Sequence, residues 1–504
     1  MIDSNGFQQA FEGRHVFLTG ATGMLGTALL VKMTKDTSVD AFHVLVRGGE
    51  GMFTLLRYDS HADRVFQVRF WDRMHELLPS RIVDDLRACN RIRVLTGDIT
   101  QKDFGLDKNI IQDLRSKVSI YVHSASSINL RAGLKEMTSV VVDPSLAAAK
   151  MALDFAHLER FVFVSTAYAN GYLHWLPVEE GTRGDCVVEE RIYPLRPVAS
   201  DDNANAELQN IKEFGTTPEY SCLSHPFAYS YAKHLTERLL TRTFEAAGRE
   251  QQLLIFRPSC IGPAEQEPVP HFEVAGSTPL TTATCAVITA IPGKMWCLSN
   301  LDQPAEATTD EVPVDVVVNR LVIHLAIGTS GCVHAVSGLS HRRNTIMLFE
   351  AMADSRSRWW GRPIVKWCKE GTSEERLWAA GKFYKIWGCS FLFQEEKTKD
   401  AWNLMDPVMK QKWPLYTQRD PKDTSDFAIR GQNSRKMLLS WLGKKHGRFG
   451  RWLAMLICPE SPPSTPILES VALAATNSSR VSLGSCIDEK SVLDVAERSC
   501  SVAG

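Results

Sequence analysis

Several features are missing from this sequence of 504 residues, and each absence excludes a class of protein or site. Its net charge of −1 lacks the basic excess that nucleic-acid binding leaves in a sequence. The 12 cysteines are scattered from Cys89 to Cys500, with no CxxC pair and no cluster of Cys and His. This spacing is typical of reduced thiols in the cytosol, not of a disulfide framework or a zinc site. We therefore expect no metal site and no nucleic-acid partner.

Long apolar runs are also absent. The N-terminal stretch MIDSNGFQQAFEGRHVFLTG contains no apolar signal segment, and no uninterrupted apolar run is long enough to span a bilayer. We expect a cytoplasmic protein. Residues 434–457 mix Lys and Arg with Trp and Phe, a pattern typical of a helix peripheral on an intracellular membrane. The same pattern is found in solvated domain helices, and three glycines weaken this one.

What the sequence does contain is a regular alternation of short apolar runs with segments of helical periodicity. Unbroken apolar strands separated by helices predict an α/β fold with a doubly wound parallel sheet. In such a sheet, ligands bind outside the carboxyl ends of the strands. The predicted strands are HVFLTG (15–20), FHVLVR (42–47), RIRVLTGD (91–98), SIYVHSAS (119–126), RFVFVSTAY (160–168) and QLLIFRPS (252–259).

Changes in this rhythm divide the chain. Residues 1–270 are predicted to form the sheet domain with the catalytic residues, and residues 271–345 to complete it with smaller substrate-side elements. Over 346–456, Trp, Lys and Leu at helical spacing predict a separate, mostly helical C-terminal domain. Residues 457–504 hold few aromatics and are predicted to be a disordered tail.

The stretch TGATGMLG (19–26) follows the first predicted strand and opens a helix. Gly20 permits a tight turn, Gly23 lets a pyrophosphate approach the backbone at the helix N-terminus, and Gly26 lets the helix pack closely on the sheet. A glycine triplet by itself is weak evidence, because a tight turn alone needs glycine. Between a strand and a helix of a parallel sheet, however, it predicts dinucleotide binding.

Two residues at the ends of the next strands bear on which dinucleotide is bound. Arg47 stands where an NAD enzyme usually offers an acidic residue to the ribose diol, and a guanidinium suits a 2′-phosphate, so NADPH is favoured. A solvated surface arginine is the alternative. Asp98 in TGDIT is a candidate acceptor for the adenine amino group, or equally a helix cap.

A hydroxyl, a tyrosine and a lysine then follow in order. VSTAY (164–168) ends a strand, and since strand residues alternate, only one of Ser165 and Thr166 faces the crevice; we favour Thr166. In AYSYAKHLTERLL (228–240), Tyr229 lies four residues before Lys233 and so shares its helix face, whereas Tyr231 does not. An ammonium on that face is expected to lower the pKa of the phenol and make it an acid–base group. We interpret Tyr231 as a packing ring with a dispensable hydroxyl.

The motifs together resemble the alcohol-forming fatty acyl-CoA reductases, also called male-sterility proteins, of the extended short-chain dehydrogenase superfamily. The matching stretches, over roughly residues 14–340, are TGATGMLG, HVLVR, GDIT, VHSAS, FVFVSTAYAN, YSYAKHLTE, FRPSCIGP and VPVDVVVN. The resemblance implies a Rossmann-type fold with Tyr229, Lys233 and Thr166 or Ser165 as catalytic residues. It also implies that the backbone of FRPS lies near the nicotinamide carboxamide. The predicted cofactor contacts are Thr19, Gly20, Thr22, Gly23, Met24, Gly26, Arg47, Asp98, Ile99, Ser124, Lys233 and Pro258.

The activity implied by the resemblance is reduction of a long-chain acyl-CoA thioester by NADPH to the aldehyde and on to the primary alcohol. An alternative within the same scaffold is a reductase of a polyketide or carrier-protein-bound acyl thioester that stops at the aldehyde, or a dehydrogenase of a sterol or sugar. An alternative of another class is an NADPH-sensing protein without catalysis, which the presence of the Tyr/Lys pair disfavours. The sequence departs from the family at two positions. Val141 stands where many relatives carry a helix asparagine that supports the lysine, and Pro144 stands where a glycine is usual.

Overall fold

The structure of the protein is a computed structural model. In it, seven apolar runs form one parallel sheet. The order across the sheet is β7-β6-β5-β4-β1-β2-β3, and all neighbouring strands run parallel. The predicted α/β fold with a doubly wound sheet is therefore confirmed. The strands are β1 (His15–Thr19), β2 (Ala41–Val46), β3 (Ile92–Thr96), β4 (Ile120–His123), β5 (Arg160–Val164), β6 (Leu253–Pro258) and β7 (Gly331–Ala335).

The structure describes residues 3–47, 62–176, 184–195, 203–222, 225–357, 361–369, 377–378, 381 and 385–440. The predicted surface segment 434–457 is described only as far as residue 440. The predicted tail 457–504 lies entirely outside the described residues. No helix in the described ranges is both long enough and apolar enough to cross a membrane.

Helices cover both faces of the sheet. Alternate side chains of each strand therefore pack into different cores. Val16 and Leu18 of β1 contribute to one core and Phe17 to the other. The helices are α1 (Ser4–Gln9), α2 (Met24–Asp36), α3 (Ala62–Leu77), α4 (Ser80–Ala88), α5 (Lys108–Lys117), α6 (Leu134–Met137), α7 (Asp143–Leu153), α8 (Ala204–Phe214), α9 (Pro218–Cys222), α10 (Ala228–Ala246), α11 (Pro279–Thr289), α12 (Val314–Ala326), α13 (Thr345–Asp354), α14 (Glu396–Leu404) and α15 (Pro407–Lys412). A π-helical turn, Thr138–Val142, joins α6 to α7, and residues 426–440 are also helical.

Four small two-stranded sheets join distant parts of the chain, and two of them cross the boundary predicted near residue 346. Gly293–Leu298 pairs in parallel with Pro363–Cys368, and Cys186–Val188 pairs in parallel with Phe391–Phe393. The other two are Cys260–Gly262 with Glu311–Pro313 and Thr308–Thr309 with Arg343–Asn344. The described part of 346–456 thus contains strands as well as helices, and the described residues belong to one compact unit.

Candidate functional site

The glycine turn after β1 has the geometry of a pyrophosphate cradle. Gly20 has a φ of +78°, and a Cβ there would lie 2.8 Å from the backbone nitrogen of Ala125. A Cβ on Gly26 would lie 2.7 Å from the carbonyl carbon of Gly20, so glycine lets α2 pack against the turn. The N-terminus of α2 at Gly23 has no side-chain cap, which leaves backbone N–H groups of its first turn for an anion. These residues fit a dinucleotide pyrophosphate.

The residues predicted to contact the adenosine half lie at the carboxyl ends of β2 and β3, next to that turn. Arg47 is exposed directly after β2. The Asp98 carboxylate accepts hydrogen bonds from both the backbone N–H and the hydroxyl of Thr100, at 2.9 and 2.8 Å, so it stabilises its own turn. Ile99 is half-buried against the core under β3. The helix-cap interpretation of Asp98 is wrong, because the next helical segment, Lys102–Gly105, has Gln101 as its N-cap and Asp98 holds a turn with Thr100 instead. The contact of Asp98 with the adenine amino group stays a prediction.

Tyr229 and Lys233 share one face of α10, beside the carboxyl end of β5. The Lys233 ammonium lies 5.8 Å from the centre of the Tyr229 ring and 4.6 Å from that of Phe163. It donates a 2.7 Å hydrogen bond to the carbonyl of Val164, the last residue of β5. In the part of the chain that the structure describes, the Tyr229 hydroxyl has no hydrogen-bond partner, so it is available to a ligand.

Burial shifts the pKa values of both side chains in the direction that favours their neutral forms. It lowers the pKa of Lys233 to about 7, while the nearby Glu237 carboxylate opposes this shift. It raises the pKa of the Tyr229 phenol above its ordinary value, and the Cys260 thiol adds to the rise. The expected lowering of the tyrosine pKa by the lysine is therefore wrong, because desolvation of the phenolate dominates. Tyr229 is protonated at neutral pH, as a proton donor must be.

The two hydroxyls at the end of β5 point to different partners. Ser165 Oγ donates a 2.5 Å hydrogen bond to Oε1 of Glu237, below the cavity. Thr166 Oγ1 lies 3.3 Å from the carbonyl oxygen of Pro258 and accepts the backbone N–H of Tyr168 at 3.3 Å. Both Thr166 contacts are long, so its hydroxyl can turn to a ligand more easily than that of Ser165.

A buried ion pair beneath the site was not foreseen from the sequence. Glu237 receives two hydrogen bonds from the Arg257 guanidinium, at 2.9 and 2.6 Å, and both side chains are almost completely buried. Its position was readable, since Glu237 follows Lys233 by one helical turn, on the face of Tyr229. Arg257 belongs to the stretch FRPS, whose arginine had no assigned role. The pair holds α10 to β6 and fixes the hydroxyl of Ser165.

Tyr231 faces away from the cavity, but its hydroxyl is not idle. It donates a 2.7 Å hydrogen bond to the Glu207 carboxylate and lies 2.8 Å from the Thr217 hydroxyl. Glu207 also forms an ion pair with the buried Arg238. The interpretation of this hydroxyl as dispensable is wrong, because its loss removes a partner from a buried carboxylate.

The departure at Val141 lies in the π-helical turn next to α10. The Val141 side chain is buried, and its carbonyl accepts the hydroxyl of Ser145 at 2.6 Å. The hydrogen bond of Lys233 goes to Val164 on the neighbouring strand instead. A side-chain amide is thus not what positions the lysine in this chain.

A cavity of about 1000 Å³ joins several of these groups. At one end it is lined by polar and catalytic candidates, and the rest of its wall is mainly apolar. Its size and apolar wall suit an extended hydrocarbon chain beside a small polar head. The polar end comprises Ser124, Ser126, Ser165, Thr166, Tyr229 and Lys233, and the apolar wall includes Ile128, Leu130, Phe227, Ile261, Leu280, Ala286, Met295, Trp378, Ile386 and Trp387.

Not every predicted site residue lines this cavity. Ser124, Ser165, Thr166, Tyr229, Lys233 and Pro258 do, and the cavity reaches α2 at Leu25. The Thr19 hydroxyl is 3.0 Å from Nδ1 of His123, and its carbonyl accepts the hydroxyl of Ser124 at 2.7 Å. The remaining predicted contacts, which lie along the turn and the ends of β2 and β3, are Thr19, Gly20, Thr22, Gly23, Met24, Gly26, Arg47, Asp98 and Ile99. In the described ranges, no three His, Cys, Asp or Glu side chains are grouped to hold a metal ion.

Solved structures with similar folds include reductase domains. The terminal R domain from the myxalamid PKS-NRPS biosynthetic pathway superposes with a TM-score of 0.51 at 16% identity, covering 86% of this chain and 91% of that one. The reductase domain of a nonribosomal peptide synthetase from Mycobacterium tuberculosis gives 0.52 at 17% identity, covering 86% and 96%. At these identities the likeness shows the fold alone.

Sequence comparison is more specific. Fatty acyl-CoA reductase 2 of Mus musculus is 28% identical over 332 residues, which are 64% of this chain and 56% of that protein. Fatty acyl-CoA reductase 1 of Gallus gallus is 28% identical over 310 residues, 61% of this chain and 54% of that protein. The aligned region thus spans about half the length of these curated relatives. The family model described as "Male sterility protein" matches residues 18–321, which hold the glycine turn, Thr166 and the Tyr229/Lys233 pair. The chain therefore belongs to the male sterility protein family, as its sequence motifs predict.

Proposed function

We propose that this protein is an NADPH-dependent reductase that converts a long-chain acyl-CoA thioester to the aldehyde and on to the primary alcohol. The observation that carries the proposal is the cavity of about 1000 Å³, whose lining combines Thr166, Tyr229 and Lys233 with mainly apolar side chains. The names of the curated relatives supply the substrate class. The intact pair of Tyr229 and Lys233 disfavours a protein that only senses NADPH.

The chain's own residues account for the handling of the carbonyl. When bound, the nicotinamide supplies a hydride. Thr166 and Tyr229 donate hydrogen bonds to the thioester oxygen and stabilise the charge that develops on it. Tyr229 then gives its proton to that oxygen, so the carbon becomes a hemithioacetal. Its collapse breaks the C–S bond and releases the thiol, and the aldehyde left at the same groups accepts a second hydride and proton.

Two side chains support the proposal that NADPH is the cofactor. Lys233 would hold the nicotinamide ribose hydroxyls beside the protonated Tyr229. Arg47, exposed at the end of β2, would bind the 2′-phosphate, which makes NADPH the preferred cofactor. Replacement Arg47→Ala is therefore expected to raise the KM for NADPH about tenfold or more and to leave the KM for NADH unchanged.

The decisive experiment incubates the full chain with NADPH and a panel of acyl-CoAs, carrier-protein thioesters and fatty aldehydes, followed by product analysis. The expected result is a primary alcohol from long-chain acyl-CoA, with two NADPH oxidised for each free thiol. Turnover of carrier-protein thioesters alone would move the assignment to the alternative substrate, and an aldehyde as the final product from acyl-CoA would overturn the second reduction. NADPH binding without turnover of any of these would reject the reductase altogether.

A further inference from the structure

The two-stranded sheet of Gly293–Leu298 and Pro363–Cys368 has one face in the protein and one at the surface. Met295 and Cys297 point inward and are each 2% exposed, and they pack in the core under α11 and α13. The alternate residues point the other way, because strand side chains alternate. This outward side, with the preceding residue Ile291, is called the ribbon face below.

The ribbon face combines exposed aliphatic side chains with positive charge. Ile364 in the second strand is 57% exposed, and Ile291, which precedes the first strand, is 83% exposed; such exposure is unusual for large apolar side chains. Ile364 stands opposite Lys294 in the strand register, and the exposed Lys366 stands opposite Trp296. Neither strand contains an acidic residue. Aliphatic side chains beside lysines and a tryptophan are typical of surfaces that bind an anionic lipid interface.

The ribbon face also borders the mouth of the cavity. Ile291, Pro292 and Lys294 line the cavity as well as reaching the surface, and Met295 forms part of its inner wall. Ile128, which is 48% exposed, lines the same cavity from the loop after β4. Apolar surface is therefore continuous from the exterior into the cavity, along the path that an alkyl chain would take.

We propose that the ribbon face docks on the surface of an anionic membrane, so that the cavity opens toward the lipid. The apolar residues enter the interface while Lys294 and Lys366 contact the headgroups. A long acyl chain or its alcohol product then passes between bilayer and cavity without crossing water. This role in substrate entry rests on the proposed function, but the docking itself does not. An acidic carrier protein is the competing partner for a basic face, and exposed aliphatics that continue into the cavity favour lipid.

The test is sedimentation of the full chain with vesicles, without NADPH or thioester. The wild type is expected to bind phosphatidylcholine–phosphatidylserine vesicles, to bind pure phosphatidylcholine vesicles much less, and to be released by salt. The double variant Ile364→Glu/Lys366→Glu, whose residues do not line the cavity, is expected to bind the anionic vesicles at least about tenfold more weakly.

A matched control has the same charge change elsewhere. Val408 is 61% exposed on α15, so Val408→Glu/Lys410→Glu makes the same change in net charge and also replaces an exposed aliphatic side chain, and it is expected to bind vesicles like the wild type. Both double variants should turn over a short, soluble acyl-CoA at the wild-type rate, which demonstrates that they are folded. Absence of turnover in every protein, with vesicle binding as expected, would overturn the proposed function and leave docking intact.

Three outcomes would overturn the docking proposal. The first is a wild type that does not bind anionic vesicles. The second is equal loss of binding in both double variants, which would reflect net charge alone. The third is binding that Ile364→Glu/Lys366→Glu leaves unchanged, which would assign membrane contact to another part of the chain, such as 434–457. Binding to an acidic carrier protein but not to vesicles falls under the first outcome and identifies the competing partner.

Discussion

Two tyrosines two residues apart on α10 have opposite surroundings. The hydroxyl of Tyr229 opens into the cavity beside Lys233, whereas the hydroxyl of Tyr231 is buried between Glu207 and Thr217. Each loses one oxygen atom when it is replaced by phenylalanine, so the pair of variants separates chemistry from stability.

Tyr229→Phe is expected to lower kcat by at least about a hundredfold, because a proton donor to the thioester oxygen is lost, while NADPH binding is kept. Tyr231→Phe is expected to keep kcat but to lower the free energy of unfolding by about 1.5–3 kcal/mol, since Glu207 loses a charged hydrogen bond. Turnover assays, NADPH titration and urea unfolding of both variants check this. Wild-type turnover by Tyr229→Phe would reject Tyr229 as the acid.

Lys233 is expected to make catalysis depend on pH near neutrality. Its pKa of about 7, lowered from 10.5 by burial, means that the ammonium is lost as pH rises through about 7. If that ammonium holds the cofactor ribose, kcat/KM for NADPH should fall above pH 7, and a pH–rate profile measures the limb. The variant Lys233→Met should lack this limb in its residual activity, and a flat wild-type profile through neutral pH would contradict the assignment.

The lowered pKa of Lys233 also affects stability. Stability is expected to rise with pH where activity is expected to fall. Between about 7 and 10.5 the unfolded chain binds the proton of Lys233 and the folded chain does not. The contribution of this residue to the free energy of unfolding therefore rises with pH across that window. A fall in activity above pH 7 cannot then be attributed to unfolding through Lys233.

At the scale of elements, the sheet was predictable and the C-terminal packing was not. Runs such as HVFLTG and RFVFVSTAY are buried on both faces, so local composition alone identifies β1 and β5. Pro363–Cys368 has a local pattern that was interpreted as helical, yet it pairs with Gly293–Leu298. Strand pairing with a partner far away in sequence leaves no local periodicity to detect.

Part of the candidate site was likewise predictable from the sequence, and part was not. The order of glycine turn, strand-end hydroxyl and Tyr/Lys pair is local, so the sequence predicts Ser165, Thr166, Tyr229 and Lys233 as site residues, and all four line the cavity, whereas Ser126 was not predicted. The direction of Ser165 depends on Glu237 and Arg257, which belong to α10 and β6, so only the fold reveals it. Desolvation, which sets the pKa of Tyr229, is likewise a property of the packed molecule.

The apolar wall of the cavity makes one element-scale prediction about chain length. Trp387 lines the cavity and is held by Phe349, with ring centres 4.6 Å apart, so it cannot swing away easily. Trp387→Leu is expected to shift preference among acyl-CoAs toward longer chains by about tenfold in the ratio of kcat/KM values. Trp367→Leu, in the same core but outside the cavity lining, is the control and should leave the ratio unchanged. An unchanged ratio for both variants would remove Trp387 from the acyl site.

At the scale of the whole molecule, buried contacts tie the C-terminal part to the sheet and to the site. Trp413 is fully buried, and its ring centre lies 4.8 Å from that of Phe7 on α1. Arg430, in the helix of 426–440, donates two hydrogen bonds to Glu311, at 2.8 and 2.7 Å. Glu311 pairs through its strand with Cys260, which lines the cavity. These contacts join parts of the chain that the sequence rhythm had divided.

We therefore expect one cooperative unfolding transition for the described part of the chain, with helix content and tryptophan fluorescence changing together in urea. Arg430→Ala should lower the free energy of unfolding by about 3 kcal/mol without splitting the transition, because the buried Glu311 loses both short hydrogen bonds and keeps a longer ion pair, 3.7 Å, with Arg343. The control Arg115→Ala breaks the exposed pair with Asp154, 42% and 55% exposed, and should cost at most about 1 kcal/mol. A separate fluorescence transition at lower urea would instead mean that a C-terminal domain beginning near residue 346 unfolds by itself, since Trp367, Trp387, Trp402 and Trp413 all lie beyond that boundary.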